Sequence, residues 1–353
     1  MSDEVIRQRV AHYNRMLAEE LPDDPPYIGE DWVRRMRNLP STSRLHVWAL
    51  HDDGGIAAQA VLSWAELASN RHSAGVHVSV EPGLRRRGIG TRLLTLAVAE
   101  ARKVHRPLLL AHSSDRLPAG RHFLERAGFK PGLATHLNQL VLERLDRQLL
   151  KRWMAAAPER AGDYAVELWD GPVPEERLAA YAGLSNVMNS APRGELNVED
   201  TLTTPNMIRE SEAYLFSDGS RRLIACARHK PTGALAGFTV LLWNPQRAAL
   251  VWQGDTGVVE AHRNKGLGRW LKAANMEALL VRNAAARFVR TGNADSNAPM
   301  LAINREMGFA PLLAETMWQA RAATIVRRLP PPSTAADDAP ALPEGVPNRC
   351  AVA

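Results

Sequence analysis

Two hydrophobic periods alternate along the chain. Residues 3–20 place apolar side chains every three to four positions and predict a helix. Short apolar runs bounded by Gly, Pro or Asp follow at 45–50, 56–64 and 75–80 and predict strands. A helical stripe at 91–104, a strand at 107–112 and a helix at 119–127 complete this first series. The order then returns: a strand at 164–169, helices at 174–188 and 205–214, strands at 222–228, 234–243 and 249–258, a helix at 267–281, a strand at 287–291 and a helix at 298–307. Only the second series has a strand ahead of its first helix. Alternation of this kind implies an α/β fold.

Individual residues recur as well. Arg85-Arg86-Arg87-Gly88-Ile89-Gly90 returns 178 positions later as Arg263-Asn264-Lys265-Gly266-Leu267-Gly268, and Ala127-Gly128-Phe129-Lys130-Pro131 returns 180 positions later as Met307-Gly308-Phe309-Ala310-Pro311. Two separate motifs at nearly one offset point to a duplicated domain. The expected organisation is a first domain at 1–145, a linker helix at 146–162, a second domain at 163–328 and a flexible Pro/Ala-rich tail at 329–353.

Composition narrows the class. Hydrophobic residues make up 45% and charged residues 23%, within the globular range, so a disordered chain is excluded. No apolar run reaches membrane-spanning length, and the acidic start Met1-Ser2-Asp3-Glu4 is unlike a secretory leader. Two distant cysteines, Cys226 and Cys350, fit a reducing cytoplasm and exclude a cysteine-built zinc site or disulfide framework. The net charge is +6, and only six of 44 basic residues are lysines. Arginine's planar fork suits phosphate. No zinc-finger spacing, basic zipper or aromatic RNA-binding motif is present. The expectation is a cytoplasmic monomer or homodimer with no metal, nucleic-acid or membrane partner.

The repeated loop carries the chemistry. In each series a strand ends, a basic Gly-containing loop follows and a helix begins. Free N–H groups at a helix start, the helix dipole and nearby cations together favour an anion such as a diphosphate. Walker A spacing is absent, and a dinucleotide fingerprint would follow a first strand rather than a late one. The remaining pattern, [RQ]-x-x-G-x-[GA] with a later Gly-Phe pair (Gly128-Phe129, Gly308-Phe309), resembles the GCN5-related N-acetyltransferase (GNAT) superfamily in both halves. More closely, the chain is similar to tandem actinobacterial members and distantly to mycothiol synthase. The resemblance implies two tandem domains, each a V-split central mixed β-sheet flanked by helices, with acetyl-CoA or another short acyl-CoA in the V and no metal. It implies CoA contacts at Val80, Arg85, Arg86, Arg87, Gly88, Ile89, Gly90 and Thr91 in the first half. In the second half it implies Val258, Arg263, Asn264, Lys265, Gly266, Leu267, Gly268 and Arg269, with Asn297 on pantetheine.

Acyl transfer to an amine needs a group to take its proton. Asp255, which aligns with His77 at the 178 offset, is the expected general base, with Glu260 and Glu212 behind it. Asp255 and Val258 face opposite ways in a regular strand, so a bulge is needed to turn Asp255 inward. The superfamily often has a Tyr five residues before the Phe of the Gly-Phe pair, as general acid. Here those positions are Leu124 and Asn304, so neither half offers a phenol, and Asn304 is expected only to position substrate or water. Gln253, Thr256, Asn293 and Asn297 add a polar lining that favours the second half as the active one, with the first as a CoA-binding scaffold or weaker site. Loop 188–195 with Glu195, Glu199 or Asp200 is a candidate holder of a cationic amine. The expected activity is transfer of an acetyl or short acyl group from acyl-CoA to a small-molecule primary amine. A silent acyl-CoA-binding protein and a protein-directed acetyltransferase remain open.

Overall fold

The computed structural model describes residues 1–329 and the short strand Val346–Asn348, which pairs with β1 below. The expected tail at 329–353 otherwise lies outside the described residues. In chain order the elements are α1 Asp3–Glu20, α2 Gly29–Arg37, β1 Ser43–Asp52, β2 Gly55–Ala65, β3 Ser73–Val80, α3 Ile89–Lys103, β4 Leu108–Ser114, α4 Pro118–Ala127 and β5 Lys130–Val141. There follow α5 Arg147–Ala161, β6 Tyr164–Asp170, α6 Leu178–Ser185, α7 Pro205–Phe216, β7 Arg221–His229, β8 Leu235–Trp243, β9 Leu250–Val258, α8 Leu267–Arg282, β10 Phe288–Ala294, α9 Ala298–Met307, β11 Ala310–Arg321 and α10 Ala322–Arg328. The sequence pattern places most of these. It misses α2, β5, β11 and α10. The single helix expected at 174–188 is instead broken into α6 and a 3-10 turn, Asn186–Ser190. There the Asn186 and Asn189 side chains accept from the backbone N–H groups of Thr203 and Thr201, which competes with helix continuation.

The chain forms two compact units, and they are not the consecutive segments 1–145 and 163–328. The first comprises Met1–Ala134, Arg193–Asp200 and the chain from Ala314 onward; the second comprises Thr135–Pro192 and Thr201–Leu313. The halves trade their last strands. Antiparallel pairing carries β11 onto β4, with Glu315 opposite Ser114 and Met317 opposite His112. It carries β5 onto β10, with Asn138 opposite Thr291. Trp318, Ala320, Ala322 and Ile325 therefore fill the first core, against Leu93, Leu94, Val98, Leu109 and Phe129. Leu140 joins Met276, Leu279, Val289 and Phe309 in the second. The expected linker at 146–162 is α5, whose buried Leu150 and Trp153 pack into that second core.

Residues 193–200 reach the first unit through backbone bonds. Glu195 N–H donates to the Gly132 carbonyl at 2.7 Å, and Asn70 exchanges bonds with Glu199. Gly132 is glycine because a Cβ there would overlap Leu196.

In each unit the parallel pair at the sheet centre comes apart. β3 and β4 pair only from Ser73↔Leu108 to Gly75↔Leu110, although both strands run on. β9 and β10 pair only from Leu250↔Phe288 to Trp252↔Arg290. This is the V expected from the resemblance. In the second unit α5, α8 and α9 pack on one face, and α6 and α7 on the other.

Candidate acyl-CoA sites

The two phosphate-type loops repeat in conformation as well as sequence. Arg86 and Gly88 lie at φ 65° and 80°, and Asn264 and Gly266 at 64° and 79°. Left-handed backbone is cheap for glycine and tolerable for asparagine, but strained for arginine. A strained Arg86 held in the same place as Asn264 marks a loop shaped for a ligand rather than for its own stability. Gly88 and Gly266 stand at the N-caps of α3 and α8, and neither helix start receives a side-chain cap. The first N–H groups of both helices are thus open donors beside a positive dipole end. No atom lies within 4 Å of where a Cβ would stand on Gly88 or Gly266, so a diphosphate has room against the backbone.

The cations divide by role. Arg85 and Arg263 close the loops themselves: Nε donates to the Val80 carbonyl at 2.9 Å and to the Val258 carbonyl at 3.1 Å. Arg85 also pairs with Glu19, and Arg263 reaches the Ser190 hydroxyl at 3.3 Å. Arg269 is turned onto Glu306 at 2.7 Å and over the Trp153 ring. These three, CoA contacts implied by the resemblance, are engaged within the protein, and the Val80 and Val258 carbonyls already accept a bond. Arg86, Arg87 and Lys265 are exposed and make no side-chain bond among the described residues, so their charges are open to an anionic ligand. Ile89, Gly90 and Thr91, like Leu267 and Gly268, form the open first helical turn. Gly268 also lets α9 approach, since a Cβ would stand 3.3 Å from Ile303 Cδ1.

The bulge that Asp255 requires is present. Thr239 pairs with Thr256 and Leu241 with Gln253, so β9 has one residue more than β8 around Gly254 and Asp255. Val240, opposite the extra residue, loses its ladder partner, and Gln253 Nε2 supplies a donor to its carbonyl at 2.7 Å. Gln253 also reaches the Thr239 hydroxyl at 2.9 Å, which bonds Thr256 at 2.7 Å. Gln253 and Thr256 thus build the bulge and are not free cleft polars. Asp255 remains exposed at the opening, yet protein crowds it enough that burial raises its carboxyl above the usual aspartate range. A carboxylate in an open crevice shows both properties. It stands near α6: burial raises the Tyr181 phenol, and the Asp255 charge raises it further.

Other expected groups stand elsewhere. Glu260 is exposed in the 3-10 turn beyond the strand end. Glu212 is buried and fully used, accepting from Val173 N–H at 2.8 Å and from Arg209 and Arg222. Glu199 takes the Asn70 N–H and Asp200 pairs with Arg193, both within the first unit. Asn304 is buried rather than on a helix surface. Its Nδ2 donates to Asn293 Oδ1 at 2.8 Å, while its own Oδ1 is buried without a partner. Asn297 holds the N-cap position of α9 but makes no capping bond, which leaves its amide available.

Sequence reading missed two features. Lys272 lies on the apolar side of α8, 2% exposed, with burial lowering its ammonium to about 7 and the Phe309 ring 6.0 Å from its charge. Its place between Leu271 and Met276 in the apolar stripe was a usable signal. His77 and His112 stack with ring centroids 5.8 Å apart in the first unit, and no sequence spacing shows that pairing.

A family model described as an acetyltransferase (GNAT) domain matches residues 43–131. No curated protein matches the chain. Among solved structures, the chain is similar to a tandem GNAT protein from the clavulanic acid biosynthesis pathway, at 28% identity and TM-score 0.73, covering 91% of this chain and 96% of that one. It shares its fold with a GCN5-related N-acetyltransferase from Sphaerobacter thermophilus, at 16% identity and TM-score 0.64, covering 91% and 94%. It also shares its fold with a fungal glucosamine N-acetyltransferase region, at 12% identity and TM-score 0.60, covering 88% and 37%. Two split sheets, two matching loops and these likenesses agree: residues 43–131 match a GNAT acetyltransferase domain, and the chain as a whole has the fold of tandem GNAT proteins.

Proposed function

We propose that this protein transfers an acetyl or other short acyl group from acyl-CoA to a primary amine of a small molecule, by direct attack in a ternary complex, with chemistry in the second unit. The observation that carries this reading is the β9 bulge, which presents Asp255 where β9 and β10 part. The Asn264–Gly268 loop and Lys265 would hold the CoA diphosphate, and Asn297 the pantetheine. Asp255, directly or through a water, takes the ammonium proton, and its raised pKa brings it closer to the amine it serves. The neutral nitrogen attacks the thioester carbon and gives up its surplus proton to water, the C–S bond breaks, and the thiolate takes a proton from water, since Leu124 and Asn304 provide no phenol. Similarity to a protein of a small-molecule biosynthetic pathway supports a small acceptor.

Release of free CoA from acetyl-CoA, measured with a panel of amines, tests the reading. Asp255→Asn should lower turnover roughly 10²–10⁴-fold, with a smaller loss at high pH where the amine is already free. Unaltered turnover across pH would remove Asp255 from the mechanism. Binding of acetyl-CoA without release for any amine would instead favour an acyl-CoA-binding protein, the reading that the missing phenols support.

A further inference from the structure

The first unit has its own group of titratable side chains where its sheet opens. β3 and β4 stop pairing at Gly75 and Leu110. His77 and His112 lie two residues further along each strand, in continued register, and their rings stack across the opening at 5.8 Å with planes 20° from parallel. On the far side of β4, Glu315 of β11 stands opposite Ser114 and Met317 opposite His112. Cross-strand partners share a face, so Glu315 is a diagonal neighbour of His112 on the side that His77 occupies. The Ser114 hydroxyl on the same face is buried without a partner.

Other charged groups around this cluster come from α1. His12 is held to the Ser79 hydroxyl at 2.8 Å, and Arg9 to Gln59 at 3.1 Å. Burial first, then His112, His12 and Arg9, hold His77 down to about 4, so it is an unprotonated base near neutral pH. Burial raises Glu315, with His112 opposing and Glu20 adding. The adjoining loop keeps Arg86 and Arg87 free, two cations where the second loop keeps only Lys265.

We propose that the first unit is a second acyl-transfer centre, in which His77 takes the acceptor's proton at the thioester while His112 and Glu315 position it. This rests on the acyl-CoA reading above. An amine nitrogen attacks the thioester carbon and the N–C bond forms. The ammonium proton passes to His77, the C–S bond breaks, and the proton goes on to the CoA thiolate, leaving an amide and a free thiol. The arrangement also explains why the position matching Asp255 is a histidine rather than an apolar relic. Glu315 reaches this centre from the far end of the chain, so no fragment ending near residue 145 contains it.

The test uses the full chain with the second site silenced by Asp255→Asn and Lys265→Glu, and acetyl-CoA as probe. In histidine-labelled protein, acetyl-CoA should shift the ring signals of His77 and His112. Arg86→Glu with Arg87→Glu should abolish that shift, and Glu315→Gln should move the His112 ring signal. Thiol release with the amine panel should persist in the silenced chain and fall at least tenfold in its His77→Gln form, with a changed pH profile. Release that is absent from the silenced chain while the wild type is active overturns the second centre alone. So do ring signals blind to bound acetyl-CoA, or His77→Gln release with an unchanged profile. Failure of the wild type to bind acetyl-CoA at either loop overturns the acyl-CoA reading and this one with it.

Discussion

Lys272 shows what a single side chain costs when its charge has no partner. A buried ammonium without a carboxylate or hydrogen bond is destabilising. In the folded protein burial lowers it to about 7 from an ordinary 10.5. Between those values the unfolded chain binds the extra proton, so stability rises with pH across that window, and the penalty is complete below about pH 7. Lys272→Met should therefore be more stable than the wild type at pH 6, with the gap closing as pH rises toward 10. Thermal unfolding at several pH values measures this. A pH-independent gap would mean that the amine has a partner in solution. Lys272 stands in α8, four residues after Gly268.

At the scale of elements, the β9 bulge has a cause within its own strand. Gln253 supplies the donor that Val240 loses. Gln253→Leu removes that donor together with the bond to Thr239, leaving the buried Val240 carbonyl unpaired at about 1–3 kcal/mol while Thr239 keeps Thr256. The expected outcome is a lower melting temperature together with reduced turnover, because Asp255 is re-aimed when the bulge relaxes. A variant that loses stability but keeps full turnover would separate the bulge from catalysis. The phosphate loops illustrate the same dependence of function on local backbone. Arg85 and Arg263 each grip the carbonyl five residues back, so the first arginine of each motif fixes the turn.

At the scale of the molecule, the exchange of last strands makes each unit depend on both halves of the chain. A fragment of residues 1–145 keeps α1 to β4 but lacks β11 and α10. Its core misses Trp318, Ala320, Ala322 and Ile325, and the β4 edge is bare. We expect such a fragment to be aggregated or to lack cooperative unfolding by circular dichroism, whereas the whole chain unfolds cooperatively. A soluble fragment with a sharp transition would show that β5 can fold back onto β4 in place of β11.

Much of this architecture is local and was legible in the residues. Apolar periods mark α1, α3, α8 and most strands, and the repeated Gly positions mark both loops, because helix stripes, strand runs and left-handed turns are properties of a few neighbouring residues. The strands β5 and β11 were not legible. Each mixes polar and apolar residues without clean alternation, and nothing along the chain states which of two equivalent edges, β4 or β10, it will pair with. That choice depends on long-range packing of Trp318 and Leu140, and it decides that Glu315 comes to stand beside His112.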